Sequence, residues 1–187
     1  MPITTLDANT ALVLIDLQKG IVSRQTVHPI AEVIKNAAAL AAGFRKRKLP
    51  VVLVNVAGVA PGRTETPRFG GQFPPDWSEL IGELDAQEAD LKITKWTWGA
   101  FFDTPLDAQL KVRGTTQIVL GGVSTSIGVE STARQAFERG YNTTLAIDAM
   151  TDTVAEAHEN SVKRIFPRLG ETGSTREVLA KLSERDA

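Results

Sequence analysis

Residues 117–136 read QIVLGGVSTSIGVESTARQA, and this stretch decides the fold. The apolar run Ile118-Val119-Leu120 followed by Gly121-Gly122 reads as a buried strand ending in a tight turn. A short polar segment follows, Val123-Ser124-Thr125-Ser126-Ile127. Gly128 then opens an amphipathic helix with Val129, Thr132, Ala133 and Ala136 on one side. The first N–H groups of a helix have no partners inside it, and the helix dipole adds partial positive charge there. Such a turn fits an anion or a developing oxyanion. Enzymes that use this geometry for acyl transfer place a nucleophile at the first helical position. That position is Gly128, and the chain has no cysteine.

Working outward, strands and helices alternate. Ala11 to Ile15 is a continuous apolar run ending in Asp16-Leu17-Gln18, the pattern of a central parallel strand. Pro29 to Arg47 reads as a helix with Ile30, Val33, Ile34, Ala37, Leu40, Ala41 and Phe44 in its stripe, stopped by Pro50. Val51 to Val56 is the second strand. Ala57 to Trp77 is rich in Gly and Pro and reads as a long loop. Loops of that length inside a domain usually carry function, and Arg63, Arg68, Gln72, Phe73 and Trp77 are its candidate ligand contacts. Ser78 to Leu84 fits a short helix. Leu91 to Thr94 is the third strand, ending at Lys95 and followed by the aromatic patch Trp96-Thr97-Trp98-Gly99-Ala100-Phe101-Phe102. Pro105 to Val112 reads as a helix with Asp103 or Thr104 as its cap. After the opening stretch come a fifth strand, Tyr141 to Ile147, ending in Asp148, and a helix from Thr153 to Phe166. Its inward residues are Val154, Ala157, Val162, Ile165 and Phe166. A short sixth strand, Glu171 to Ser174, and a last helix, Thr175 to Leu182, complete the chain. The alternation predicts one α/β domain over residues 1–187, a mainly parallel six-stranded sheet between two helical layers.

Composition narrows the functions. Lys+Arg and Asp+Glu nearly balance at a net charge of −1, which argues against nucleic acid as a partner. The absence of cysteine excludes disulfides, thiolate metal sites and a thiol nucleophile. The N-terminus lacks a basic segment followed by an apolar one, and no apolar run approaches the roughly 20 residues of a membrane span. A cytoplasmic protein acting on a small molecule, away from membranes, is expected.

In open α/β sheets ligands bind beyond the carboxyl ends of the strands, where strand order reverses. Asp16, Lys95 and the Ser124–Gly128 turn all fall on that edge. A carboxylate beside a lysine serves as general acid or base. Ser124, Ser126 and Ser131 are the hydroxyls nearest the expected nucleophile position, with Asp148 and His158 as possible triad partners. The G-x-S-x-G elbow is not met, however, and His158 falls well inside a helix, where a surface or packing role is expected. His28 falls in the turn before Pro29.

Three blocks, ALVLIDLQ with Asp16, ITKWTWGAFFDTPLDAQL with Lys95, and GGVSTSIGVESTARQAFERGYNTTLAIDAM, resemble the isochorismatase-like hydrolase superfamily in order and spacing. The resemblance covers nearly the whole chain and is weakest over 57–88. In the family's amidohydrolases an Asp, a Lys and a Cys form a triad, so the resemblance puts Asp16 and Lys95 at two positions and Gly128 at the third. It further implies a cis peptide at Val123–Ser124 and an oxyanion hole from the Ser124 and Gly128 N–H groups.

Glycine cannot form an acyl-enzyme. Isochorismatases proper, which resemble this chain in lacking a nucleophile there, cleave a vinyl ether with the Asp as general acid. The resemblance therefore implies acid-catalysed cleavage of an enol ether or related small carboxylate. Gln18, Arg63, Arg68, Trp96, Trp98 and Phe101 would bind substrate. The alternatives are a silent family member that binds a small anion or a protein partner, and an amidohydrolase whose Cys was replaced. No cofactor is implied. The metal-binding His cluster of the family's nicotinamidases has no counterpart at Asn55-Val56-Ala57-Gly58, so no metal is expected. A homodimer or larger homo-oligomer is implied by the resemblance alone.

Overall fold

The computed structural model describes residues 3–66 and 72–184. Its strands are β1 (Thr10–Ile15), β2 (Val51–Val56), β3 (Leu91–Lys95), β4 (Gln117–Val123), β5 (Asn142–Thr151) and β6 (Glu171–Gly173). They form one sheet in the order β3-β2-β1-β4-β5-β6, with every neighbouring pair parallel. The chain winds outward through β2 and β3, then returns to lay β4 on the other side of β1. The reversal between β1 and β4 is the point where such sheets open a crevice.

The α-helices are α1 (Lys19–Val22), α2 (Ile30–Lys46), α3 (Leu106–Val112), α4 (Glu130–Glu138), α5 (Ala155–Asn160) and α6 (Thr175–Glu184). Side chains of β1 alternate between two cores, as a strand covered on both faces requires. Leu12 and Leu14 join Val33's helix α2 through Ala37, Leu40, Ala41 and Phe44, and α6 through Val178 and Leu182. Ala11, Val13 and Ile15 face α3 through Leu106 and Leu110, and α4 through Ala133 and Ala136, with Val129 and Phe166 beside them. Burial of each such Leu, Ile or Phe stabilises the fold by about 1.5–3 kcal/mol. The fold class therefore agrees with the alternation of elements in the sequence.

Several local expectations fail for physical reasons. Residues 78–84 form only a 3-10 turn, Gly82–Leu84, because Leu80 is drawn into a bridge with Gln18. β5 does not end at Ile147 but runs on to Thr151, and its register with β4 shifts between Leu120 and Gly122. That irregularity turns Asp148 away from the strand edge, and its carboxylate accepts from Thr175 N and Oγ1 at the start of α6 (2.7 and 2.8 Å). The long helix 153–166 is shorter and irregular: α5 passes into a π turn, Ser161–Ile165, then a 3-10 turn, Phe166–Arg168. Val154 is exposed, not inward, and His158 takes the buried place instead. α3 begins after Pro105, while the Thr104 hydroxyl accepts the Leu106 N–H at 3.3 Å. The described parts of the 57–77 segment contain no strand or α-helix.

One ion pair ties α2 to the segment entering β3. Arg45 reaches Asp90 through Nε (3.1 Å) and Nη2 (2.7 Å), and Nη2 also donates to Leu84 O (3.0 Å). The Asp90 side chain is 3% exposed, so removing its partner strands a buried carboxylate. Arg45→Met is expected to cost about 2–3 kcal/mol, read as a lower urea midpoint. A loss below about 0.5 kcal/mol would place the pair with solvent-screened surface contacts instead.

Candidate functional site

The carboxyl ends of β1, β3 and β4 converge on one cavity of about 240 Å³. Asp16 follows β1 with φ of 52°, a left-handed conformation that Asp tolerates better than most residues. Lys95 ends β3. Its Nζ donates to Asp16 Oδ2 at 2.7 Å and to Thr97 O at 3.1 Å, and both side chains are almost wholly buried. Asp16 Oδ1 has no hydrogen-bond partner. Burial pushes the Asp16 carboxyl up to about 6, against the opposing charge and hydrogen bond of Lys95. Loss of hydration thus outweighs the ammonium, and the acid is poised near neutral pH.

The third side of the site is the β4–α4 turn. The Val123–Ser124 peptide is cis. Helical structure starts earlier than the sequence pattern predicts, with a π turn from Thr125 to Val129 before α4. Gly128 lies inside this turn rather than opening the helix. A Cβ built on Gly128 would stand 3.2 Å from Asp16 Oδ2 and 2.8 Å from Ile15 Cγ2. Asp16, Lys95 and Gly128 are therefore immediate neighbours. No group at 128 can attack a carbonyl, and the Ile15 methyl occupies part of the space a side chain would need. Thr132 Oγ1 donates to Gly128 O (2.7 Å) and accepts Ala100 N–H (3.1 Å), which fixes the turn against the segment after β3.

The predicted binding residues separate into two groups. Trp98, Val123, Ser124 and Gly128 line the cavity with Asp16 and Lys95. Phe73 and Trp77 also line it, stacked with ring centroids 4.0 Å apart. Gln18 does not line it. It is fully buried, its Oε1 accepts Val56 N–H (2.7 Å), and its Nε2 donates to Val56 O (3.0 Å) and Trp77 O (3.1 Å). It holds the 72–81 segment against the sheet. Phe101 points into the core beside Tyr141, under Arg139, because its backbone N–H is held by Gln135 Oε1 on α4. Trp96 is 62% exposed and lies over Gly58, outside the lining. Arg63 is exposed and also outside the lining. Arg68 lies outside the described residues. An aromatic cluster in sequence does not reveal which rings turn inward, and this explains the misplaced Trp96 and Phe101.

The serine alternative is not assembled. His158 is buried, and its Nδ1 meets Thr125 Oγ1 at 2.9 Å rather than a serine. Its other neighbour is the His28 ring, edge-on at 4.6 Å. Burial and His28 both push the His158 pKa down. Asp148, the expected third member, caps α6 instead.

Three residues escaped the sequence reading. Asp152 follows the extended β5 and takes Ser126 N–H on Oδ2 (2.7 Å) and Thr153 N–H on Oδ1 (2.8 Å), clamping the turn from behind. Its signal, an Asp just before a helix, was masked by the premature end assigned to the strand. Thr97 lines the cavity, and its hydroxyl is buried without a partner. Arg24, just past α1, brings a guanidinium to the cavity. α1 is too short to show any periodicity that would have placed Arg24. Among the described residues no three His, Asp or Glu side chains converge as metal ligands would, and no helix is long and apolar enough to cross a membrane.

Comparison with known proteins adds a wider frame. Residues 10–177 match the family model described as Isochorismatase domain. YwoC, an uncharacterized isochorismatase family protein of Bacillus subtilis (strain 168), is 44% identical over 180 residues, covering 92% of this chain and 94% of YwoC. YecD, an uncharacterized isochorismatase family protein of Escherichia coli O157:H7, is 42% identical over 92% of this chain and 96% of its own. An isochorismatase family protein from Burkholderia thailandensis has a solved structure that superposes with a TM-score of 0.92 at 41% identity. The match covers 97% of this chain and 98% of that one.

Proposed function

This chain belongs to the isochorismatase family, and we propose that it is a hydrolase of an enol ether of a small carboxylate, acting by general acid catalysis. The observation that carries the reading is Asp16: a buried carboxyl pushed up to about 6, beside Lys95 and Gly128. Such an acid holds its proton in mildly acidic solution and gives it up at a cost suited to catalysis. Gly128 offers no covalent nucleophile, so in this reading water completes the reaction.

In this reading the proton sits on the Asp16 carboxyl, which Lys95 holds in place at Oδ2. The carboxyl transfers that proton to the terminal carbon of the vinyl ether. The carbon–carbon double bond supplies the electrons, leaving an oxocarbenium at the ether carbon. Water adds there and loses a proton, which returns Asp16 to its acid form. The hemiketal then collapses to a ketone and a free alcohol. Lys95 holds the carboxyl in place and stabilises the transient carboxylate. The replaced-Cys alternative is weakened by Ile15, whose methyl group crowds position 128.

The test is a pH profile on isochorismate and simpler enol ethers. Since Asp16 must be protonated, kcat/KM is expected to be level below pH about 5. Above about 6 it should fall roughly tenfold per pH unit. A profile that climbs between pH 5 and 8 would show Asp16 acting as a base and would sink the proposal. Absence of turnover at every pH would leave the anion-binding alternative in its place.

A further inference from the structure

We infer that Arg24 sets the specificity of the cavity by binding a carboxylate of a small, ring-sized ligand, whose reactive end then points down at Asp16. The inference rests on the reading of this cavity as the reactive site, but its test does not depend on turnover.

Charge is the first argument. Among the described residues, the ionisable side chains in the lining are Asp16, Arg24 and Lys95. Lys95 is buried and already engaged by Asp16 and Thr97 O. Arg24 is exposed and makes no ion pair among the described residues. Its backbone N–H bonds to Ile21 O at 3.2 Å, so the base of the side chain is fixed while the guanidinium is free to meet a ligand. The lining is thus cationic whichever state Asp16 adopts, on a chain whose net charge is only −1. A guanidinium presents a planar fork that suits a carboxylate in two parallel bonds.

The second argument is shape. Phe73 and Trp77 are stacked on one side, and Trp98 and Ile127 supply further apolar wall. At about 240 Å³ the space is below the roughly 300–1,000 Å³ of drug-sized sites, which limits the ligand to about one ring. The ligand is oriented by its two ends: the anion to Arg24, the acid-sensitive carbon to Asp16.

Trp77 and Trp98 in the lining provide a fluorescence signal for binding without chemistry. Benzoate is expected to quench the parent protein, and benzamide to bind more weakly. Arg24→Gln should weaken benzoate by about tenfold or more while leaving benzamide and the thermal midpoint unchanged. Arg24→Lys should recover part of the loss, since it restores the charge without the fork. Arg63→Gln, outside the lining, should bind benzoate as the parent does. Unchanged benzoate affinity in Arg24→Gln would overturn the inference, as would no response of the parent to benzoate. Tighter binding of phenyl phosphate than of benzoate would overturn the carboxylate assignment. If enol ethers are never turned over but the Arg24 result holds, the acid-catalysis reading fails and this one stands.

Discussion

Asp16→Asn is expected to lower enol-ether turnover by about 10²–10⁴-fold, with the protein still folded. Asparagine keeps the shape of the neutral acid and can accept a hydrogen bond from Lys95, but it cannot deliver a proton to carbon. The comparison is best made at pH 5. Asp16 is mostly neutral there in the parent, so Lys95 faces an uncharged partner in both proteins. Their thermal midpoints should then be close while their rates differ widely. Turnover within tenfold of the parent would remove Asp16 from the chemistry.

The same substitution should also change how stability depends on pH. Burial raises the folded pKa of Asp16 from 3.8 to about 6. A raised pKa means the folded state binds the proton more tightly than the unfolded chain does. The stabilisation this gives is full below the unfolded value and is lost as pH rises through about 6. It amounts to a few kcal/mol at most, on the order of 3. The parent should lose stability between pH 4 and about 6.5, and the Asn variant should lose less over that window.

Gly122→Ala is expected to destabilise the fold by about 4 kcal/mol or more, read from urea unfolding. Gly122 has φ of 122°, which L-residues rarely adopt. It pairs with Ile15 across β1 and β4, and a Cβ there would lie 2.1 Å from Ile15 O and 2.6 Å from Ile15 N. These are backbone atoms, so no rotamer change relieves the clash. The strand end carrying Asp16 would have to move, and activity should fall with stability. Gly82→Ala is the control: nothing lies within 4 Å of its added Cβ, and it should stay within about 1 kcal/mol of the parent. A loss below 1 kcal/mol in Gly122→Ala would mean that β1 and β4 slide more easily than their register implies.

The sheet was legible because Ala11 to Ile15, Val51 to Val56 and Gln117 to Val123 are apolar on both faces, as buried parallel strands must be. Asp16 and Lys95 were legible because each follows such a run, and the fold places those ends side by side. What escaped depends on contacts distant in sequence. Asp148 lies within β5 and Asp152 just past its end, and only the register shift opposite Leu120 and Gly122 decides which reaches the site edge. Gln18 looks like a ligand group beside Asp16, but its amide is consumed by Val56 and by Trp77, some 60 residues away (|i−j| of 59). Arg24 sits in a stretch without periodicity, and the cavity alone gives it meaning.

The Ile15 methyl group against Gly128 also limits what a substitution there can do. Valine and isoleucine side chains are stiff, and this methyl is anchored at the base of a branched residue in the central strand. A Cβ at 128 would meet it at 2.8 Å, so any side chain there requires the methyl or the turn to shift. Placing a nucleophile at 128 by a single substitution therefore tests the packing of the central strand as much as the chemistry of the site.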